Sequence, residues 1–160
     1  MDYNYDDCIV MLLQHEGGYI NHPKDPGGIT NLGVTKKVYE EYLGREVTVD
    51  EMKSLQPSDV KPLYKKLYWD RCKCDNLPSG LDWSVFDWAV NSGTGRSAKA
   101  VQKICGAMQD GAIGPKTLAL VDGQSPHYMI EEFGKIRQQF YAHLPTKIVR
   151  FSLLYRLHKL

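Results

Sequence analysis

Two carboxylates stand close together near the N-terminus, Glu16 in Glu16-Gly17-Gly18-Tyr19 and Asp25 in Asp25-Pro26-Gly27-Gly28-Ile29-Thr30. Cleavage of a glycosidic bond uses two such groups in different environments. One is kept protonated to donate to the leaving oxygen, and one is ionised to assist at the sugar carbon. Ile9, Leu12, Leu13 and Glu16 recur at i, i+3, i+4 and i+7, which puts Glu16 on the apolar face at the end of a first helix. Desolvation on such a face raises a carboxyl pKa, the condition for a general acid near neutral pH. The same residues also allow a plainer arrangement, in which Gly17-Gly18 stops the helix and Glu16 points to water. Asp-Pro-Gly-Gly is likewise good turn sequence with or without a catalytic role for Asp25.

The elements that must position these groups read mostly as helix. Between Gly17 and Thr35 glycines and prolines break helix, while Tyr19-Ile20 and Ile29 to Val34 have short-strand character, so a small β-element is expected near residues 17–35. Thr48-Val49-Asp50-Glu51 has the form of a capping box, and Ser58 after Pro57 is expected to open a helix running through Tyr64 and Leu67 toward Trp69. Leu81 to Val90 is a strongly apolar helix, Gly93-Thr94-Gly95 ends it, and Arg96 to Ile104 resumes as helix. Asp110 to Pro115 reads as a turn with Pro115 at a helix start, followed by helices over Pro126 to His143 and Ile148 to Leu157. Trp83 and Trp88, five apart, do not share a helical face and are expected to pack in the core.

Bulk properties bound the rest. The 160 residues suffice for one well-buried core or two small lobes sharing one, and no low-complexity linker divides them. A hydrophobic content of 42% with 24% charged residues is that of a soluble globular protein, and a net charge of +1 removes the electrostatic case for nucleic acid. The N-terminus lacks a basic n-region and the apolar run Cys8 to Leu13 is too short to span a bilayer, so the chain is expected to be made in the cytoplasm without a signal peptide and without membrane insertion. Cys8, Cys72, Cys74 and Cys105 are scattered. Cys-x-Cys with no nearby histidine pair is not a zinc spacing, so reduced, unpaired thiols and no metal site are expected.

Glu-Gly-Gly-Tyr followed by Asp-Pro-Gly-Gly-x-Thr-Asn-x-Gly-Val-Thr resembles the N-terminal signature of the glycoside hydrolase 108 muramidases, phage endolysins and related bacterial lysozymes. The later segments Asp75 to Asp82, Val85-Phe86-Asp87, Ala89 to Gly93 and Asp110 to Thr117 resemble the predicted peptidoglycan-binding region that accompanies those enzymes. The resemblance implies a mainly α, lysozyme-like, two-lobed fold. It implies a catalytic region over 1–88 and a peptidoglycan-binding helical region over 89–160, within one structural unit. The family's proposed catalytic glutamate maps onto Glu16.

The interval from Glu16 to Asp25 with a threonine beyond is also similar to the Glu, Asp, Thr arrangement of phage lysozymes, where the second carboxylate and the threonine flank the attacking water or the sugar carbon. Here that threonine is Thr30, one position early, or Thr35. Tyr19 and Asn91 are the implied substrate contacts, although Asn91 beside Gly93 could equally serve the end of its own helix. His22 stands where the family often has an acidic residue and ranks below Asp25. The chain's end departs from the family's Phe-x-x-Gly-Trp pattern, reading Phe151-Ser152-Leu153-Leu154-Tyr155.

The implied function is an N-acetylmuramidase cleaving the MurNAc-β-1,4-GlcNAc bond of peptidoglycan as a monomer without cofactor. A phage-type enzyme without a signal would reach the periplasmic wall through a holin or another membrane lesion. A lytic transglycosylase, a chitinase and a non-catalytic wall-binding module are the alternatives.

Overall fold

The computed structural model describes residues 3–21 and 28–144. They are mainly helical, with eight α-helices and one three-stranded sheet. The chain divides into two compact units, Asp6–Lys66 and the residues through Tyr5 together with those from Leu67 on. Asp25, His22 and the helix expected at 148–157 lie outside the described residues. Residues 88 and 89 both lie in the helix Leu81–Ser92.

Helix α1, Tyr3–His15, has buried Tyr5, Cys8, Ile9 and Leu12 at the i, i+3, i+4, i+7 spacing of an amphipathic helix. Glu16 follows in the same phase, its backbone N–H still donating to the Leu12 carbonyl at 3.2 Å. Beyond the two glycines come β1 (Ile20–Asn21), β2 (Ile29–Asn31) and β3 (Val34–Thr35), all antiparallel in the order β1-β2-β3. Thr30 pairs with Ile20 on one side and Thr35 on the other, and Asn31 pairs with Val34.

The β2–β3 connection is therefore a two-residue hairpin, Leu32-Gly33, with φ of 50° and 77°. Positive φ at both central residues defines a type I′ turn, whose twist matches the flanking strands. Gly33 takes this region freely, but Leu32 does so at a cost of about 1–2 kcal/mol. Such a residue persists only where its surroundings over-determine it.

Helix α2, Lys36–Leu43, opens on Thr35, whose hydroxyl accepts from the Val38 N–H at 3.3 Å, and closes on Gly44 at φ 70°. The sequence reading assigned no element here. None of the helix is fully buried, but Val38, Tyr39, Tyr42 and Leu43 recur at helical spacing on one face, with Val38, Tyr39 and Tyr42 half-buried, and a Lys36–Glu40 pair at 2.5 Å spans one turn. Helix α3, Val49–Ser54, starts on the expected capping box: Thr48 Oγ1 accepts from Glu51 N–H at 3.1 Å and Glu51 Oε2 accepts from Thr48 N–H at 2.7 Å. Helix α4, Pro57–Tyr64, begins earlier than the expected Ser58. Gln56 is its N-cap, Pro57 takes the first helical position where a missing N–H is harmless, and Asp59 Oδ2 accepts from Gln56 N–H at 2.8 Å. Its buried face is Val60, Leu63 and Tyr64, and the chain continues as a single π-turn, Lys65–Trp69.

The second unit holds α5 (Leu81–Ser92), α6 (Thr94–Cys105), α7 (Pro115–Asp122) and α8 (Pro126–Ala142) after a 3-10 turn at Cys74–Asn76. Gly93 alone, at φ 94°, breaks α5 from α6, so the expected Gly93-Thr94-Gly95 interruption is shorter than its sequence suggested. Tyr5, Trp69 and Phe86 form an edge-to-face cluster with centroids 5.1–5.9 Å apart. Trp88 packs on Phe133 and Phe140 of α8 at 5.3 and 5.7 Å, the core role expected of it, while Trp83 is half-buried. Asp82 and Asp87 are both buried and both engaged. Asp82 accepts from Gly80 N–H, Trp83 N–H and the Asn4 amide, and Asp87 pairs with Arg137 at 2.5 Å. All four cysteines are free thiols and buried; a hydrogen bond from Cys74 holds the Cys72 thiol below its ordinary pKa against the opposing effect of burial.

Candidate active site

Glu16 sits one residue past α1, where Gly17-Gly18 ends the helix, and it is half-buried. Its carboxyl turns onto the β2–β3 hairpin. A Cβ built on Gly33 would lie 2.7 Å from Glu16 Oε2 and 2.9 Å from Glu16 Cδ, so the glutamate side chain occupies the space that any larger residue at 33 would need. Tyr64 Oη would lie 2.6 Å from the same point. The Tyr64 hydroxyl donates to the Leu32 carbonyl at 2.9 Å, tying the strained turn to α4. The arrangement with Glu16 frayed into solvent is thus not the one the chain adopts.

The neighbouring motif residues divide between scaffold and available groups. Asn31 is buried, and its amide donates to the Met52 carbonyl at 2.8 Å and the Lys53 carbonyl at 3.4 Å. These belong to the last turn of α3, whose carbonyls have no intrahelical donor, so Asn31 fastens β2 to α3. Side chains alternate along a strand, which puts Thr30 on the face opposite Asn31. Thr35 uses its hydroxyl as the α2 N-cap, whereas Thr30 makes no hydrogen bond through its hydroxyl among the described residues. Tyr19 is half-buried, and its hydroxyl is shielded from solvent without a partner among the described residues. Lys53 Nζ stands over its ring, 5.6 Å from the centroid.

Asn91 belongs to the other compact unit, where its amide donates to the Asp87 carbonyl one turn back at 2.6 Å. The Asp87 carbonyl lies before the last four of the helix, so this is a bond back along its own helix and not a cap of the helix end. In the same unit, Gly95, Arg96, Lys99, Asp110 and Gly111 line a cleft of about 420 Å³ that includes none of the residues around Glu16. The Asp110 turn is clamped by buried Gln102, which donates to Asp110 Oδ1 at 2.7 Å and to the Ala112 carbonyl at 3.0 Å and accepts from Gly111 N–H at 2.9 Å. The Gln102 contact, followed by the Ala112 N–H, lowers the Asp110 pKa below its ordinary value. No group of three or more His, Cys, Asp or Glu side chains suited to a metal occurs among the described residues.

Sequence reasoning passed over Tyr64 and the Leu32-Gly33 turn. A glycine second in a two-residue gap between short strands was a usable signal for the turn. Nothing local marks Tyr64, whose partner lies 32 residues away.

The site is a half-buried glutamate held against a glycine turn at the end of a helix, on mainly helical described residues with a small sheet. The sequence model of Glycosyl hydrolase 108 matches residues 9–93, which include Glu16, the hairpin and Tyr64. The solved structure of Brucella abortus SagA resembles the chain with a TM-score of 0.82 at 35% identity, covering 95% of this chain and 87% of SagA. The chain belongs to the Glycosyl hydrolase 108 family and is a glycoside hydrolase of the peptidoglycan-hydrolysing class. A comparison with curated proteins gives no match. No helix among the described residues is long and apolar enough to cross a membrane.

Proposed function

We propose that the chain is an N-acetylmuramidase that hydrolyses the MurNAc-β-1,4-GlcNAc bond of the bacterial cell wall. The observation that carries this reading is the Glu16 carboxyl seated against Gly33 at the end of α1. Glu16 gives its proton to the glycosidic oxygen as the bond to the anomeric carbon breaks. Asp25, ionised, stabilises the oxocarbenium-like centre or takes a proton from the attacking water. Water supplies the hydroxyl at the anomeric carbon, its other proton passes to Asp25 or back to the Glu16 carboxylate, and the departing GlcNAc keeps the proton Glu16 gave. Thr30, with its hydroxyl uncommitted, is better suited than Thr35 to assist that water. The Tyr19 ring supplies a stacking face for a sugar. We assign residues 89–160 to peptidoglycan binding, supported by the Asp110–Thr117 motif and the cleft beside it.

Mass spectrometry of digested peptidoglycan tests the reaction. Hydrolysis leaves reducing MurNAc ends that carry the added water, and 1,6-anhydro ends would make the chain a lytic transglycosylase instead. The second acid is tested by Asp25→Asn, expected to lower activity strongly, beside His22→Ala, expected to change it little; the reverse pattern would remove Asp25 from the mechanism.

A further inference from the structure

We infer that Tyr64 is a positioning residue for Glu16 and acts through the Leu32-Gly33 turn. The inference rests on the reading of Glu16 as proton donor. Tyr64 is 1% exposed, so its ring belongs to the core of its unit and a phenylalanine would fill the same volume. Its hydroxyl is a separate matter. A phenol has one hydrogen, and at 2.9 Å from the Leu32 carbonyl, a group that can only accept, that hydrogen is committed to the turn.

The turn needs such a tie. Leu32 at φ 50° occupies a backbone region that leucine disfavours, where asparagine or glycine is the usual first residue of a type I′ pair. Gly33, the second residue, forms one wall of the space filled by the Glu16 carboxyl, and Tyr64 Oη lies 2.6 Å from the same Cβ position. A shift of the turn moves that wall. The hydroxyl of Tyr64 therefore sets where the carboxyl rests.

The test is Tyr64→Phe in the full chain, with kcat and KM measured on purified peptidoglycan and melting temperature recorded alongside. Tyr64→Phe should lower kcat by roughly 10–100-fold, as a displacement of about 1 Å of a catalytic group does. KM should stay within about twofold and the melting point within a few degrees, a split that simple loss of folded protein would not give. Adding Leu32→Asn creates the preferred Asn-Gly turn, removes the strain that the tie opposes, and should restore a substantial part of kcat. Wild-type kcat in Tyr64→Phe, or a kcat loss that Leu32→Asn leaves untouched, would overturn the inference. Glu16→Gln, run in parallel, separates the two levels: activity in that variant removes the proton-donor reading itself, whatever Tyr64→Phe does.

Discussion

Replacing Gly33 by alanine would place a methyl carbon 2.6 Å from Tyr64 Oη, 2.7 Å from Glu16 Oε2 and 2.9 Å from Glu16 Cδ, on a backbone at φ 77°. The backbone contribution is about 1–2 kcal/mol for a side chain in the left-handed region. Forcing a methyl into filled space adds about 1–3 kcal/mol. Together they amount to roughly 2–5 kcal/mol, or of order 10 °C in melting temperature for a chain of this size. The Glu16 carboxyl is the movable partner. If it swings aside, part of the stability returns and the proton donor is displaced, at a cost of roughly 10²-fold in rate. Gly44→Ala is the matched control, because Gly44 has φ 70° but open space around its Cβ position. It should lose only about 1–2 kcal/mol and keep full activity. Thermal melts and release of soluble fragments from purified peptidoglycan read both variants. If Gly33→Ala matched Gly44→Ala in both measurements, the contact between Gly33 and the Glu16 carboxyl would not matter.

Two further predictions concern the scaffold. Arg45, ahead of the Thr48 N–H, holds the Glu51 pKa down from 4.5 to about 2. A folded pKa below the unfolded one stabilises above the unfolded value and ceases to do so as pH falls through the folded one. The melting-temperature gap between wild type and Glu51→Gln should therefore be open at neutral pH, narrow as pH falls from 4.5 toward 2, and shrink with added salt because the pair is exposed. In the other unit Arg137→Ala leaves buried Asp87 without its guanidinium partner. A loss of about 3 kcal/mol is expected, with Asp87→Asn combined with Arg137→Met closer to wild type in denaturant titration.

The parts legible in the sequence are those governed by local pattern. The stripe Ile9, Leu12, Leu13 carries α1 to Glu16, with Ile9 and Leu12 buried and Leu13 half-buried, Thr48 and Glu51 form the box that opens α3, and Pro115 stands at the first position of α7. Helix α2 is only two turns long and has no fully buried residue, so its short face of Val38, Tyr39, Tyr42 and Leu43 is a weak signal, and α4 starts at Pro57, ahead of the expected Ser58, because Gln56 is a poor-looking cap that depends on Asp59. The motif around Glu16 was visible as helical phase and as a spaced signature, but not as a set of contacts. Its organisation depends on Asn31 reaching carbonyls 21 and 22 residues away and Tyr64 reaching one 32 residues away, contacts that no short periodicity encodes. Thr30 and Thr35 looked alike in sequence and differ once Thr35 is seen capping α2.

The central claim is that the carboxyl lodged against Gly33 is the proton donor. Glu16→Gln keeps the side chain's length and shape, removes the ionisable proton and tests the claim directly. Purified full-length variant and wild type, matched by melting temperature, are compared for release of reducing ends from isolated peptidoglycan. The account predicts a variant that folds, still sediments with peptidoglycan, and loses roughly 10²–10⁴-fold in release rate. Release within tenfold of wild type would contradict it.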